Sequence, residues 1–239
     1  MKRVLFAVSL LLGLSVLFSS CEKSGAAGED GADASGAVDL GLSVKWASCN
    51  LGASKPEEYG DYYSWGETSP KEVYTKETYK YYIGKSRTDE GFLAELYSKY
   101  VVNPDNGTID NKIQLDPADD AAHVKLGGKW RMPTEKECQE LVDKCIWTYQ
   151  SRMGVCGYEV KSSVNGNSIF LPLSGYRVES HRTAKEEEVG YLSSSLYTNT
   201  SIRNSSRNCV VMYADDCSDV YMDYDNRFDG FPIRPVKGK

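Results

Sequence analysis

The stretch that decides the fold is residues 127–147, which read GGKWRMPTEKECQELVDKCIW. Thr134 can cap the first turn of a helix, and Glu137 can reach back to the Thr134 backbone N–H, which together make a capping box. Pro133 marks the boundary because it cannot continue a helix backwards. Beyond the cap, apolar side chains recur at helical spacing on one face: Cys138, Leu141, Val142, Cys145 and Ile146. The pattern predicts a helix of about three turns that packs its apolar stripe on neighbouring strands.

Downstream of this helix, the patterns predict strands. Residues 158–164 and 168–173 flank an Asn-Gly-Asn turn, which is a strong hairpin signal. Residues 209–214 and 220–224 alternate around an aspartate-rich turn and predict a second hairpin. Residues 231–236 close the chain, and their prolines suit an edge strand or the start of a strand.

Upstream of the helix, the signals are weaker. Residues 38–47 alternate apolar with small or polar residues and predict one strand. Residues 92–102 fit a short helix or a strand, and residues 103–120 and 182–188 are predicted to be loops. The fold class predicted is α+β, strand-dominated, with one or two helices segregated from the sheet.

The N-terminus predicts an exported protein. Lys2 and Arg3 precede an apolar run at residues 4–18, too short to span a bilayer, so residues 1–20 are predicted to be a signal peptide. The end of this leader resembles a bacterial lipobox, with Cys21 as the lipidated residue, and plain secretion is the alternative. The predicted localisation is the outer membrane, at the cell surface or on the periplasmic face, with the lipid anchor as the sole membrane contact.

The remaining chain divides into a tether and one domain. Residues 21–36 are rich in Gly, Ala, Ser and Asp without apolar periodicity, which is typical of a flexible tether. No second tether follows, so residues 37–239 are predicted to form a single domain, long enough for a sizeable core.

Charge and histidine content exclude several function classes. The 239-residue chain has a formal net charge of −6, which argues against nucleic acid as a partner because phosphate binding needs clustered Lys and Arg. The two histidines, His123 and His181, lie far apart, which argues against a histidine zinc site or a catalytic relay. No nucleophile motif or phosphate loop occurs, and the protein is predicted not to be an enzyme and to need no cofactor.

Six cysteines remain once Cys21 is set aside. Cys138 and Cys145 are roughly 10 Å apart if both lie on the helix, beyond disulfide reach. Cys209 and Cys217 lie about 25 Å apart along an extended strand, which disfavours that pair as well. A disulfide between Cys49 and Cys145 is the favoured pairing, and buried free thiols that pack as small hydrophobes are the alternative.

Three further groups of residues have open interpretations. Aspartates crowd the C-terminal region and could bind Ca²⁺, although a solvated acidic face is favoured: Asp215, Asp216, Asp219, Asp223, Asp225 and Asp229.

Arg131 and Arg234 are expected to make structural hydrogen bonds, with Asp119 or Asp120 as possible partners. Four tryptophans are expected in the core, with stacking of Trp65 on a sugar ring as an alternative: Trp46, Trp65, Trp130 and Trp147.

Ordered motifs along the chain resemble a known family. They are residues 38–47, 49–53, 65–67, 119–122, 130–134, 165–172, 175–177, 192–195 and 233–236. Together they resemble the Fibrobacter succinogenes major paralogous domain, which is abundant in lipoproteins of Bacteroidetes. The resemblance implies a C-type lectin-like fold, in a superfamily shared with formylglycine-generating enzymes. It also implies paired N- and C-terminal strands, with residues 44–47 near residues 233–236. Some members carry a diversified C-terminal ligand surface.

The C-terminal third suits a ligand surface. Residues 193–230 are dense in Tyr, Asn, Asp and Ser, the chemistry of antibody paratopes. The predicted ligand contacts are Tyr197, Tyr213, Tyr221, Tyr224 and Asn226, and ordinary polar loops are the alternative interpretation. The predicted function is non-enzymatic binding of a glycan or protein at the cell surface. A surface-assembly or adhesin-accessory subunit is the alternative, and an enzyme of the formylglycine-generating type is less favoured.

Overall fold

The structure is a computed structural model that describes residues 36–199, 201, 205–217 and 219–239. Cys21, the predicted lipidation site, and the predicted signal peptide lie outside the described residues. Within the described part, strands dominate over two α-helices, so the class is α+β. No helix in these ranges is both long and apolar enough to cross a membrane.

The strands in chain order are β1 (Ala37–Val38), β2 (Val44–Ala47), β3 (Tyr82–Arg87), β4 (Leu93–Tyr97), β5 (Trp130–Arg131), β6 (Cys145–Arg152), β7 (Val155–Ser162), β8 (Ser168–Pro172), β9 (Tyr176–Val178), β10 (His181–Thr183), β11 (Glu188–Leu196), β12 (Asn208–Asp215), β13 (Val220–Asn226) and β14 (Val236–Gly238). The helices are α1 (Ala121–Leu126) and α2 (Glu135–Lys144). The described strands form sheets ordered β1-β2-β14-β5, β11-β12-β13, β6-β7-β8, β3-β4 and β10-β9.

The predicted capping box begins α2 as expected. Thr134 Oγ1 accepts from the Glu137 N–H at 3.3 Å, and the Glu137 carboxylate accepts from the Thr134 N–H at 2.8 Å. The buried residues Cys138 and Leu141 pack on the sheet β11-β12-β13. The helix ends earlier than predicted, and Cys145 belongs to β6 because this strand pairs with β7 along its whole length. Sheet pairing here overrides the helical spacing of the sequence.

We expect the capping box to contribute measurably to stability. Thr134→Ala leaves the Glu137 N–H without its side-chain acceptor and should lower the free energy of unfolding by about 1 kcal/mol. Urea unfolding checks this value, with Thr198→Ala, the same change at an exposed position, as the control. If the Thr134 and Thr198 variants unfold at the same urea concentration, the cap contributes nothing.

The two ends of the described chain meet in one sheet. Strand β2 pairs antiparallel with β14, and Val236 lies opposite Trp46. The predicted single strand over residues 38–47 is wrong, because the chain turns within it and β1 folds back on β2. Asp39 Oδ1 accepts from the Gly41 N–H at 2.9 Å, and Gly41 has φ +73°, a left-handed conformation that glycine adopts without strain.

The predicted hairpins form as β7–β8 and β12–β13. Residues 92–102, which fitted either element, contain the strand β4. The loop predicted over residues 182–188 is partly wrong, since its first residues belong to β10, which pairs with β9.

Both singled-out arginines make structural hydrogen bonds, but not with the predicted partners. Arg234 is fully buried and donates to Asn50 Oδ1 at 2.9 Å and to the carbonyls of Ala47 and Phe170 at 3.0 and 2.7 Å. Arg131 pairs with Glu137 through two hydrogen bonds of 2.7 and 2.5 Å.

The two aspartates suggested as arginine partners serve other elements. Asp119 accepts from Lys80, Lys99 and the Tyr100 hydroxyl. Asp120 caps α1 by accepting from the His123 N–H at 2.9 Å, and it also accepts from the Met132 N–H. Each carboxylate therefore already has close donors of its own.

The tryptophan prediction holds for three of the four residues, since half-buried Trp147 also packs against a core cluster. Trp46 and Trp65 are fully buried, in the two apolar clusters that form the core. Trp130 and Trp147 are only half-buried. The alternative that Trp65 stacks on a sugar ring is wrong, because its ring has no exposed surface.

All six cysteines that the structure describes are free thiols, so the predicted disulfide between Cys49 and Cys145 is wrong. Cys49 follows β2 and lines a cavity together with Leu126 and Trp130. Cys145 instead begins β6, opposite Ser162 of β7. The two thiols therefore belong to different parts of the molecule.

Candidate ligand-binding face

The sheet β11-β12-β13 carries most of the predicted ligand contacts, on two opposite faces. Tyr213 lies opposite Tyr221 in the β12–β13 pairing, and Val210 lies opposite Tyr224. Side chains alternate between faces along a strand, so Tyr221 and Tyr224, three residues apart, point to opposite sides. The structure therefore does not bring the five predicted residues together into one surface.

Tyr224 belongs to the face on which α2 packs, together with Met222 and Met212. Its ring stacks on that of Tyr197, with centroids 4.1 Å apart and an interplanar angle of 29°. Tyr224 remains 37% exposed, and Tyr197 is half-buried. These two predicted contacts form a pair of their own beyond the helix.

The other face is built around Tyr213 and Tyr221. The Tyr213 side chain is buried, and its hydroxyl donates to Asp225 Oδ2 at 2.7 Å. The Tyr221 ring lies nearly parallel to the Tyr213 ring, with centroids 5.7 Å apart, and Tyr221 is 40% exposed. Tyr213, predicted as a ligand contact, is buried, and its ring packs beside that of Tyr221.

Carboxylates surround this tyrosine pair. Gly190 of β11 lies directly opposite Tyr213 of β12. Glu188 is two residues before Gly190 on the same strand, so its side chain is on the same face as that of Tyr213. Asp223 and Asp225 lie two and four residues after Tyr221 on β13, so they share its face. We call the set Glu188, Tyr213, Tyr221, Asp223 and Asp225 the acidic tyrosine face.

The carboxylates of this face are Glu188, Asp223 and Asp225. Among the described residues, none of the three makes an ion pair. Burial raises the pKa of Glu188, and the nearby charges of Asp215 and Asp225 raise it further. The face therefore presents concentrated negative potential beside an exposed aromatic ring.

Asp229 lies beneath the end of β13 and is almost fully buried. Its Oδ2 accepts from Asn226 Nδ2 at 2.8 Å, whereas its Oδ1 has no hydrogen-bond partner in the described structure. Burial raises the Asp229 pKa to about 7. Asn226, predicted as a ligand contact, has its amide engaged internally, because its Oδ1 also accepts from Arg207 Nε at 2.6 Å.

The aspartate-rich turn before β13 shows one compact group of potential metal ligands among the described residues. Ligand atoms of Asp215, Asp216 and Cys217 lie within 4.8 Å of one another at the surface. Asp215 Oδ1, however, already accepts from the backbone N–H groups of Cys217 and Asp219, at 2.9 and 3.0 Å. This carboxylate shapes the turn, which accounts for its position without a metal ion.

The thiols do not have the environment of nucleophiles. Burial raises the pKa of Cys138 and Cys209, and it raises that of Cys145 to about 11. A hydrogen bond with the Asp216 carboxylate raises the pKa of the exposed Cys217. These four residues are therefore thiols rather than thiolates at neutral pH.

Comparisons of the chain with protein-family models, with curated proteins and with solved structures each return no match. Evidence about function therefore comes from the geometry of the molecule itself. The α+β fold places the exposed Tyr221 ring among carboxylates that make no ion pair with a described residue.

Sequence reasoning missed Glu188, and it missed the division of the tyrosines between two faces. The division of the tyrosines could have been predicted from the sequence. Side chains alternate between the two faces of a strand, and residues 221 and 224 are three positions apart, so they point to opposite faces. Glu188 offered no comparable signal, since its place on the face depends on the pairing of β11 with β12.

Proposed function

We propose that the protein is a non-enzymatic ligand-binding module that holds a glycan or protein ligand at the acidic tyrosine face. The observation that carries the proposal is the Tyr221 ring, which is exposed, supported by Tyr213 and bordered by carboxylates without ion pairs in the described structure. A supported ring loses little conformational entropy when a ligand covers it, so its contact area contributes efficiently to affinity.

The chemistry of this face suits both ligand classes. The exposed side of Tyr221 can pack on the apolar face of a sugar ring, and the carboxylates of Asp223 and Glu188 can accept hydrogen bonds from sugar hydroxyls. On a protein ligand, lysine or arginine side chains would pair with the same carboxylates. Charge complementarity of this kind also speeds association.

The proposed setting is the bacterial envelope, with a lipid anchor at Cys21 and a C-type lectin-like fold. The basic and apolar leader and the lipobox-like sequence before Cys21 support export and anchoring. The antiparallel pairing of β2 with β14 is the feature that supports a C-type lectin-like arrangement of the chain ends. The outer membrane, at the cell surface or on the periplasmic face, is the proposed location.

The proposal is tested by two tyrosine substitutions on opposite faces of the same strand. An array of glycans and envelope proteins, probed with the purified protein, identifies a captured ligand. For that ligand, Tyr221→Ala should weaken binding about thirtyfold, as expected for a central aromatic contact. Tyr224→Ala, a change of the same size on the other face, should leave affinity unchanged.

Urea unfolding of both variants provides the stability control. Both tyrosines are partly exposed, so each variant should unfold close to the wild type. Wild-type affinity in the Tyr221 variant would refute the placement of the site. Selective loss of affinity in the Tyr224 variant would move the site to the Tyr197–Tyr224 pair.

A further inference from the structure

A cavity of about 680 Å³ lies outside the acidic tyrosine face, between the tyrosine-rich segment at residues 59–74 and the β9–β10 hairpin. Its hairpin wall carries Arg177 and Arg182, which lie directly opposite each other in the pairing of the two strands. Like charges at directly opposed positions destabilise a strand pair. Two like charges therefore meet on this wall of the cavity.

Each of these arginines lies on a tyrosine ring. The Arg177 guanidinium carbon is 5.3 Å from the centroid of the Tyr62 ring, and that of Arg182 is 5.0 Å from the Tyr59 ring. Stacking of this kind uses the flat side of a guanidinium and leaves its N–H edge available. Within the described structure, neither guanidinium makes a hydrogen bond or an ion pair.

The tyrosine wall is rigid. The Tyr62 hydroxyl donates to the Ser174 carbonyl at 2.6 Å, and the Tyr74 hydroxyl donates to the Tyr62 carbonyl at 2.8 Å. Both rings are buried. Arg177 therefore lies on a fixed aromatic base, which limits the entropy lost when a ligand binds.

Arg177 and Arg182 are the two cations of the lining that no described carboxylate pairs. Lys71 also borders the cavity, but it pairs with Glu67 at 2.9 Å, and Asp61 and Glu72 are the carboxylates of the lining. Unengaged guanidinium edges are suited to an anion.

We propose that this cavity binds a small ligand of the uronic acid class and that Arg177 and Arg182 together hold its carboxylate. Two guanidinium edges match the two oxygens of a planar carboxylate, as in bidentate arginine recognition. The cavity volume lies within the range of small-molecule sites. The half-buried Tyr59 ring borders the same space with Arg182 over one side, and its remaining surface can contact the sugar ring.

Calorimetric titration of the full chain with digalacturonate tests the proposal. We expect saturable binding of digalacturonate, no binding of neutral digalactose and weak or no binding of inorganic phosphate or sulfate. Arg177→Gln and Arg182→Gln should each lower the affinity for digalacturonate at least about tenfold. Arg87→Gln, which removes the same charge from an exposed position on β3, should lower it little.

Two further variants separate this site from the acidic tyrosine face and from general attraction of anions. Tyr221→Ala should leave digalacturonate binding unchanged, so either site can fail without the other. Arg182→Lys retains the charge but loses the planar fork, and it should recover only part of the affinity. Circular dichroism confirms that each variant is folded.

Several results would overturn the proposal. They are the absence of digalacturonate binding, equal affinity for the neutral disaccharide, tighter binding of phosphate or sulfate, and wild-type affinity in the folded Arg182→Gln variant.

Discussion

Arg227→Met is expected to lower the free energy of unfolding by more than about 3 kcal/mol, the largest effect expected of any single substitution named for this protein. Arg227 is fully buried and donates to the carbonyls of Lys99, Tyr100 and Ser206 and to the Tyr79 hydroxyl, at 2.7 to 3.0 Å. Removal of the guanidinium leaves buried acceptors without donors, and each unsatisfied acceptor costs about 1 to 3 kcal/mol.

Aromatic rings enclose the same guanidinium and add to the expected loss. Its carbon lies 4.6 Å from the centroid of Tyr97 and 5.2 Å from that of Trp65. Cation–π contacts shielded from solvent contribute about 2 kcal/mol or more. Methionine fills part of the volume but provides neither the charge nor the donors.

Urea unfolding of Arg227→Met measures the effect. Arg207→Met is the matched control, because Arg207 is half-exposed and lies in the same region. Arg227→Lys, which keeps the charge but not the fork, should fall between the wild type and Arg227→Met. If the Arg227→Met protein is too unstable to purify, the soluble yields of the three variants should follow the same order. Equal stability of the Arg227→Met and Arg207→Met proteins would contradict the structural role of Arg227.

Asp229→Asn is expected to stabilise the protein above pH 7 and to remove a pH dependence. The pKa of Asp229 is about 7 in the folded protein, against 3.8 for an ordinary aspartate, because the carboxyl group is buried. Between these values the folded state binds a proton that the unfolded state has lost, so stability falls as pH rises from about 4 to about 7. The difference of about three pKa units corresponds to at most about 4 kcal/mol.

Unfolding free energies measured from pH 4 to pH 8 check this expectation. The asparagine side chain has no charge to desolvate and can still accept from Asn226, so the variant should match the wild type near pH 4 and exceed it by about 2 to 4 kcal/mol at pH 8. Asp223→Asn, at an exposed position on β13, serves as the control. Parallel pH curves for wild type and Asp229→Asn would show that Asp229 is ionised in the folded protein at neutral pH.

The parts of the fold that sequence reasoning found depend on contacts close along the chain. The Thr134 and Glu137 cap joins residues three apart, and the turn at residues 165–167 joins adjacent strands. Helix α1 was not predicted, because six residues are too short for apolar periodicity, although Asp120 and Gly127 mark its ends. The early end of α2 at Cys145 and the fold-back of β1 depend on sheet pairing.

The candidate sites could be predicted only in part for the same reason. Composition pointed to a tyrosine- and aspartate-rich C-terminal region, and Tyr221 lies exposed there. The support from Tyr213 and the contribution of Glu188 depend on which strands pair. Arg177 and Arg182 lie on the two strands of the β9–β10 hairpin. The second of these strands was predicted to be part of a loop, so the sequence did not indicate that the two arginines lie opposite each other.

The central claim is that the ligand is held at the acidic tyrosine face. Amide hydrogen exchange of the protein, measured with and without the captured ligand, tests this claim most directly. Among the described strands, β13 is at the edge of its sheet, so some of its amides have no described strand partner and should exchange readily without ligand. We expect bound ligand to slow exchange in residues 220–226 and to leave residues 93–97 of β4 unchanged. Slowed exchange confined to residues 59–74 and 176–183, with none in β13, would contradict the claim.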